Sequence, residues 1–297
     1  MLLRTFAPGR ETELQQLVER LQPTFQLDTT EERILFQADS ATNTITLGLE
    51  GSRRLQAHAY AAAIFVTALS TPGYLNLEPE ERDRLYAPAD PMLSWAVGRD
   101  LQQRLRQNGV DGDLVEIMGQ AVCELPKGLL SSLTANQRIL GEGVFRIACA
   151  FIILHELAHL HFRHCRCQGD ASIHQEKDAD RFAAAWLLEC PGITAANRMS
   201  CLLGISIALI WLCVFDIYLG PSQSDTHPPP HDRLFQILDQ FIDPTSDDER
   251  LLIWDFVSRI LVVHLDNAAI EIDWQHMHGL PRERADYLLN LFSKHQR

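Results

Sequence analysis

The run Phe151-Ile152-Ile153-Leu154-His155-Glu156-Leu157-Ala158-His159-Leu160 constrains this chain more than any other stretch. It sets H-E-x-x-H inside an apolar segment. Positions four apart on a helix stand one turn above the other on the same face, so His155 and His159 can offer two imidazole nitrogens to one metal ion. Glu156, beside the first histidine, is turned aside from coordination yet stays near enough to exchange a proton next to the metal. That is the geometry of a zinc hydrolase in which the carboxylate is the general base. Three fixed positions arise by chance in roughly a few per cent of chains this long, so the rest of the sequence has to decide.

Composition sets the frame. With 297 residues, 46% hydrophobic and 22% charged, the chain has material for one large domain or two smaller ones. A net charge of -13 excludes the basic surface that phosphate backbones require, so no nucleic-acid partner is expected. The seven cysteines, Cys123, Cys149, Cys165, Cys167, Cys190, Cys201 and Cys213, follow no disulfide framework, and several sit in apolar runs. A reducing compartment is expected. Residues 1–10 lack an apolar segment long enough for a signal peptide, which points to the cytoplasm. The stretch 199–215 carries no charge and is near the lower limit for crossing a bilayer. Membrane association through it is the alternative; a buried core helix beside the catalytic one is preferred.

Helical periodicity dominates the chain. Leu14, Leu17 and Leu21 place a short amphipathic helix over residues 10–21. Strand candidates follow, one centred on Ile34-Leu35-Phe36 and one from Thr44 to Leu49, with turn chemistry at Asp39-Ser40-Ala41-Thr42-Asn43; a small hairpin is expected. Residues 55–69 read as a helix stopped by Thr71-Pro72-Gly73. Residues 77–91 read as a surface loop or a short solvated helix, 91–106 as an amphipathic helix, and 114–122 as either strand or helix. A long helical pattern from about Asn136 to His164 carries H-E-x-x-H, with Gly141 and Gly143 leaving a later start open. Its middle, 147–154, is apolar all round and so is expected to be buried. Further helices are expected over 174–190, 249–265 and 282–294. The expected fold class is α+β, mainly helical. An N-terminal helix and hairpin region (1–130), a candidate for substrate recognition, precedes a helical metallopeptidase core (131–297).

Catalytic zinc usually takes three protein ligands. Glu176 and Asp180, four apart in Glu176-Lys177-Asp178-Ala179-Asp180, share a helix face. Standing alone they would read as a solvated surface; following H-E-x-x-H so closely, they are read as site residues. The simplest assignment makes Glu176 the third ligand and lets Asp180 accept the free ring N–H of a ligand histidine. Beyond lies Thr226-His227-Pro228-Pro229-Pro230-His231-Asp232-Arg233. The prolines hold the backbone away from helix, so His227 is presented from a stiff turn. A histidine or arginine there can stabilise an oxyanion, though spacing alone does not separate that from an ordinary proline-rich turn. His161, His164, Cys165 and Cys167 fit no four-ligand zinc pattern and read as a mobile helix end. His174 reads as a surface histidine in reserve as a ligand, and His58, His264, His276, His278 and His295 as ordinary residues.

The ordered blocks H-E-L-A-H, E-x-x-A-D and T-H-P-P-x-x-x-R resemble the gluzincin zinc metallopeptidases. They are similar to those of the membrane-embedded CaaX prenyl endopeptidases and of the Lit-type phage-exclusion peptidases, which are cytosolic bacterial proteins. The resemblance covers His155 to Arg233 and implies a zincin-like core. It implies His155, His159 and Glu176 as zinc ligands, Glu156 as the catalytic base, and Asp180, His227 and Arg233 as supporting residues, the last two catalytic. The CaaX family separates its first two blocks by a longer insert and carries several spanning helices. This sequence shows neither, so the Lit-type resemblance is preferred. By analogy it implies a protein substrate, in that family a host translation factor cleaved during phage infection.

Overall fold

The computed structural model describes residues 9–28, 36–74, 77–96, 130–131, 133–164, 170–219, 228–267 and 270–295. Helix α1 (Glu11–Leu21) turns Leu14 and Leu17 into the core. Three strands form one small sheet: β1 (Thr24–Asp28), β2 (Gln37–Asp39) and β3 (Thr44–Gly48), in the order β1-β3-β2. β3 pairs antiparallel with β2, Ala38 opposite Ile45, and parallel with β1, Phe25 opposite Ile45. The expected hairpin is present, with differences. Ile34 and Leu35 lie outside the described residues, Phe36 is not in a strand, and the first strand of the hairpin falls just after it. Asp39 Oδ1 accepts the Ala41 N–H at 2.9 Å, and Asn43 adopts φ 55°, a left-handed conformation that asparagine tolerates well. Asn43 also donates to the Gln22 carbonyl at 2.9 Å, tying the turn to the end of α1.

Further helices among the described residues include α2 (Leu49–Leu69), α3 (Pro79–Tyr86), α4 (Ala135–His161), α5 (Asp170–Leu188), α6 (Ala195–Leu219), α7 (Pro230–Phe241), α8 (Asp247–Asn267) and α9 (Pro281–His295). The fold is mainly helical with a small three-stranded sheet. α2 begins directly after β3, six residues before the expected start. Residues 77–91 resolve toward the solvated helix, α3, followed by a 3-10 turn at Ala87–Ala89. Of the amphipathic stretch at 91–106, residues 91–96 are helical; its remainder and all of 114–122 lie outside the described residues.

The start of α4 has a local cause. Thr134 Oγ1 accepts the Gln137 N–H at 3.2 Å and Gln137 Oε1 accepts the Thr134 N–H at 2.9 Å. This reciprocal capping satisfies two end donors and starts the helix ahead of Gly141 and Gly143. Gly141 permits close packing: a Cβ there would stand 2.4 Å from Tyr60 Cδ1. Pro230, expected to keep the chain out of helix, is instead the first residue of α7, where its missing N–H costs nothing.

The chain divides into two compact units. One comprises Met1–Leu55, Gly143–Leu209 and Gln223–Ile242; the other comprises Gln56–Glu142, Ile210–Ser222 and Asp243–Arg297. The boundary expected at residue 130 falls inside the second. In the first unit, α6 crosses α4 closely at Gly204, where a Cβ would stand 2.5 Å from Ile147 Cγ2 and 3.1 Å from the Ala148 nitrogen. In the second, Arg284 and Arg259 both pair with Asp255, at 2.6 and 2.9 Å, and Ser258 donates to the Pro281 carbonyl at 3.0 Å, joining α9 to α8. His58 and His264, read as ordinary residues, are fully buried in this unit with their Nε2 atoms 3.1 Å apart.

Among the described residues, two helices are long and apolar enough to cross a membrane by length and composition: α4, and α6 over Ala195–Val214. Of their apolar windows 61% and 72% lie buried inside the protein, as the core helices of a globular protein also would.

Candidate metal and catalytic site

Every described residue of the site belongs to the first unit. α4 supplies His155, Glu156 and His159; α5 supplies Glu176 and Asp180; α7 supplies Arg233. His155, Glu156, Glu176, Asp180 and Arg233 are all buried. Such a cluster of polar groups needs mutual satisfaction to persist in a core.

The geometry supplies it. His155 Nε2 and His159 Nε2 stand 3.0 Å apart. Glu176 faces both rings with its two oxygens, Oε2 at 3.4 Å from His155 Nε2 and Oε1 at 3.4 Å from His159 Nε2. Donors bonded to zinc at about 2.0–2.1 Å in a tetrahedron stand about 3.3 Å from one another. The three separations lie near that value, with one Glu176 oxygen toward each ring, and His-His-Glu is a donor set suited to catalytic zinc, so these residues fit the ion.

The outer contacts orient these side chains. His155 Nδ1 lies 2.9 Å from Asp180 Oδ1, although its N–H points off the ideal hydrogen-bond line. Arg233 grips Asp180 with two bonds of 2.7 Å and reaches Glu176 at 3.4 Å. His159 Nδ1 lies 2.9 Å from His164 Nδ1. Glu156 Oε2 accepts the Ala38 N–H at 2.6 Å; with β2 at the sheet margin, its outer edge faces the site. His227 lies outside the described residues, as do Cys165 and Cys167. His174 is exposed on α5.

Protonation follows from burial and neighbouring charge. Burial lowers the proton affinity of His155, but the carboxylates of Asp180 and Glu176 outweigh it and push its pKa up. Burial and then the charge on His155 push His159 down. The carboxylates therefore favour positive charge among these rings, which a divalent ion would supply. Burial, reinforced by Glu176, pushes the Glu156 carboxyl up to about 7. Burial acts to raise Asp180, and Arg233 and His155 overcome it and hold the carboxyl low.

The peptidase U49 family model matches residues 124–257, a span that contains every residue from His155 to Arg233. A cell death peptidase of Escherichia coli (strain K12) is 22% identical over 185 residues, covering 62% of this chain and 57% of that protein. The chain resembles the Lit-type peptidases. Both findings support a protease. The alignment spans a little over half the length of the curated relative. No solved structure matches the chain.

Two contacts were not legible in the motifs. The Ala38 contact is a backbone amide, which carries no residue-type signal. His164 stands where the sequence suggests only a mobile helix end; its contact with His159 depends on the chain turning back at Arg163, whose φ is 55°.

Proposed function

We propose that this chain is a zinc-dependent endopeptidase with a zincin-like core, acting on a protein substrate. The carrying observation is the convergence of His155 Nε2, His159 Nε2 and a Glu176 oxygen within 4.8 Å of one another, with the Glu156 carboxylate one residue from the first ligand. Zinc held there supplies Lewis acidity, polarising a carbonyl and making water acidic near neutral pH. Glu156 takes the proton of the attacking water and returns it to the leaving amine. Asp180 and Arg233 hold the ligand set, and His227 is assigned to the oxyanion.

The proposed setting is the cytoplasm, in defence against phage, with a host translation factor as the substrate by analogy with the Lit-type peptidases. Zinc content of the purified protein tests the metal. Proteomic comparison of cleavage products in cells carrying wild type or Glu156→Gln tests the reaction and names the substrate. Protein without stoichiometric zinc, or a Glu156→Gln variant that still cleaves, would overturn the reading.

A second reading, a membrane quality-control protease, is favoured by the two apolar helices α4 and α6. Carbonate extraction separates the two: a peripheral or cytosolic protein leaves the membrane fraction, and a spanning one stays.

A further inference from the structure

Each ligand histidine has two ring nitrogens, and the structure accounts for all four. The two Nε2 atoms face Glu176. His155 Nδ1 faces Asp180 at 2.9 Å. His159 Nδ1 faces His164 Nδ1, also at 2.9 Å. We propose that His164 is a positioning residue that fixes the tautomer and orientation of His159, an inference that rests on the zinc reading above.

The tautomer logic is direct. A ring nitrogen that gives its lone pair to a metal carries no proton, so the proton of neutral His159 sits on Nδ1. That N–H donates to His164 Nδ1, which therefore accepts and keeps its own proton on Nε2. The two nitrogens of an imidazole lie on opposite sides of the ring, so His164 stands behind His159 and outside the donor set of His155, His159 and Glu176. It serves His159 as Asp180 serves His155.

The placement of His164 is fixed from several directions. α4 ends at His161, and Arg163 takes φ 55°, a left-handed conformation uncommon for a residue with a Cβ. The chain thereby turns back, and the His164 N–H bonds to the His159 carbonyl at 2.9 Å. The two rings meet edge to face at 71°, centroids 5.0 Å apart. Phe162 stacks on the far ring at 5.4 Å, and Ser40 Oγ donates to the His164 carbonyl at 3.0 Å. A helix end restrained by the hairpin and by an aromatic face holds its imidazole at one register.

The test is zinc affinity of the full-length protein by chelator competition. His164→Leu keeps bulk and removes the acceptor; His164→Asn places an amide oxygen near the position of Nδ1. The expected result is a zinc Kd weakened by about 10–100-fold in His164→Leu and within about threefold of wild type in His164→Asn. The cobalt-substituted protein gives a second readout, its visible absorption altered in the first variant and restored in the second. If His164→Leu does not fold, His164→Gln, whose amide overshoots Nδ1, replaces it. Unchanged affinity without the acceptor overturns the proposal, and equal losses in both variants assign His164 to packing alone. A wild-type protein that binds no zinc overturns the zinc reading itself, and this inference with it.

Discussion

Arg233 holds Asp180 by both carboxylate oxygens at 2.7 Å, and the same carboxylate lies 2.9 Å from His155 Nδ1. A charge on α7 thus acts on His155 on α4 through a carboxylate on α5. Arg233→Met leaves Asp180 and Glu176 buried with one cation fewer, and breaking such a pair from one side costs about 3–5 kcal/mol. Arg233→Lys keeps the charge but loses the paired geometry and falls between. Denaturant unfolding of the zinc-free protein measures both; a methionine variant as stable as wild type would show that the pair contributes nothing to the fold.

Glu156→Gln separates binding from chemistry. The glutamine oxygen can still accept the Ala38 N–H that Glu156 Oε2 now receives at 2.6 Å, so the fold and zinc stoichiometry are expected to survive. On the proposed mechanism, the substitution is expected to lower kcat/KM by about 100-fold or more. Removing His155, by contrast, is expected to lose the metal as well. Zinc content measured beside cleavage rate distinguishes the two.

Acid should loosen the second unit. Burial, then the neighbouring His58, hold the pKa of His264 well below 6.5. Above about pH 6.5 the ring is neutral whether the chain is folded or not, so its contribution to stability does not change with pH. As pH falls further, the unfolded chain takes up a proton that the folded one refuses, and stability drops by about 1.4 kcal/mol per pH unit until the folded pKa is reached. His264→Gln keeps a partner for His58 at 3.1 Å and removes the proton. Between pH 6.5 and 5 its unfolding free energy should fall less steeply than wild type by about one proton; parallel curves would contradict the assignment.

Two glycines should respond oppositely to alanine. At Gly204 a Cβ meets Ile147 Cγ2 at 2.5 Å and the Ala148 nitrogen at 3.1 Å, so Gly204→Ala forces α6 off α4 and costs about 1–3 kcal/mol. At Gly143, also on α4, nothing lies within 4 Å of a built Cβ. Gly143→Ala should stabilise by about 0.4–1 kcal/mol through the unfolded chain. Thermal melts of the two variants, measured together, check both the packing and its sign.

Much of the candidate site was readable because helices impose a period. His155 with His159, and Glu176 with Asp180, are pairs four apart, and each pair shares a face whatever the helix packs against. The start of α4 was equally present in Thr134 and Gln137, whose capping box outweighs the glycines that suggested a later start. β1 was harder. Thr24-Phe25-Gln26-Leu27-Asp28 alternates as a strand should, yet Phe25 and Leu27 are 47% and 61% exposed, so its alternation does not mark a core.

By itself the sequence determined local geometry: which side chains share a helix face, where the capping residues start α4, and which donor types are available for zinc. Tertiary structure decided the convergence. Glu176 meets the histidines because α5 packs its face toward α4, and Arg233 reaches both carboxylates from a helix over fifty residues farther along. Ala38 and His164 meet the site through a strand edge and a left-handed turn. These contacts depend on how elements distant in the chain stack to bury apolar surface, which no short-range period encodes. H-E-x-x-H supplies two histidines on one face and a carboxylate beside them; the fold brings Glu176 to the histidines, a partner to each imidazole Nδ1 and a backbone amide to Glu156.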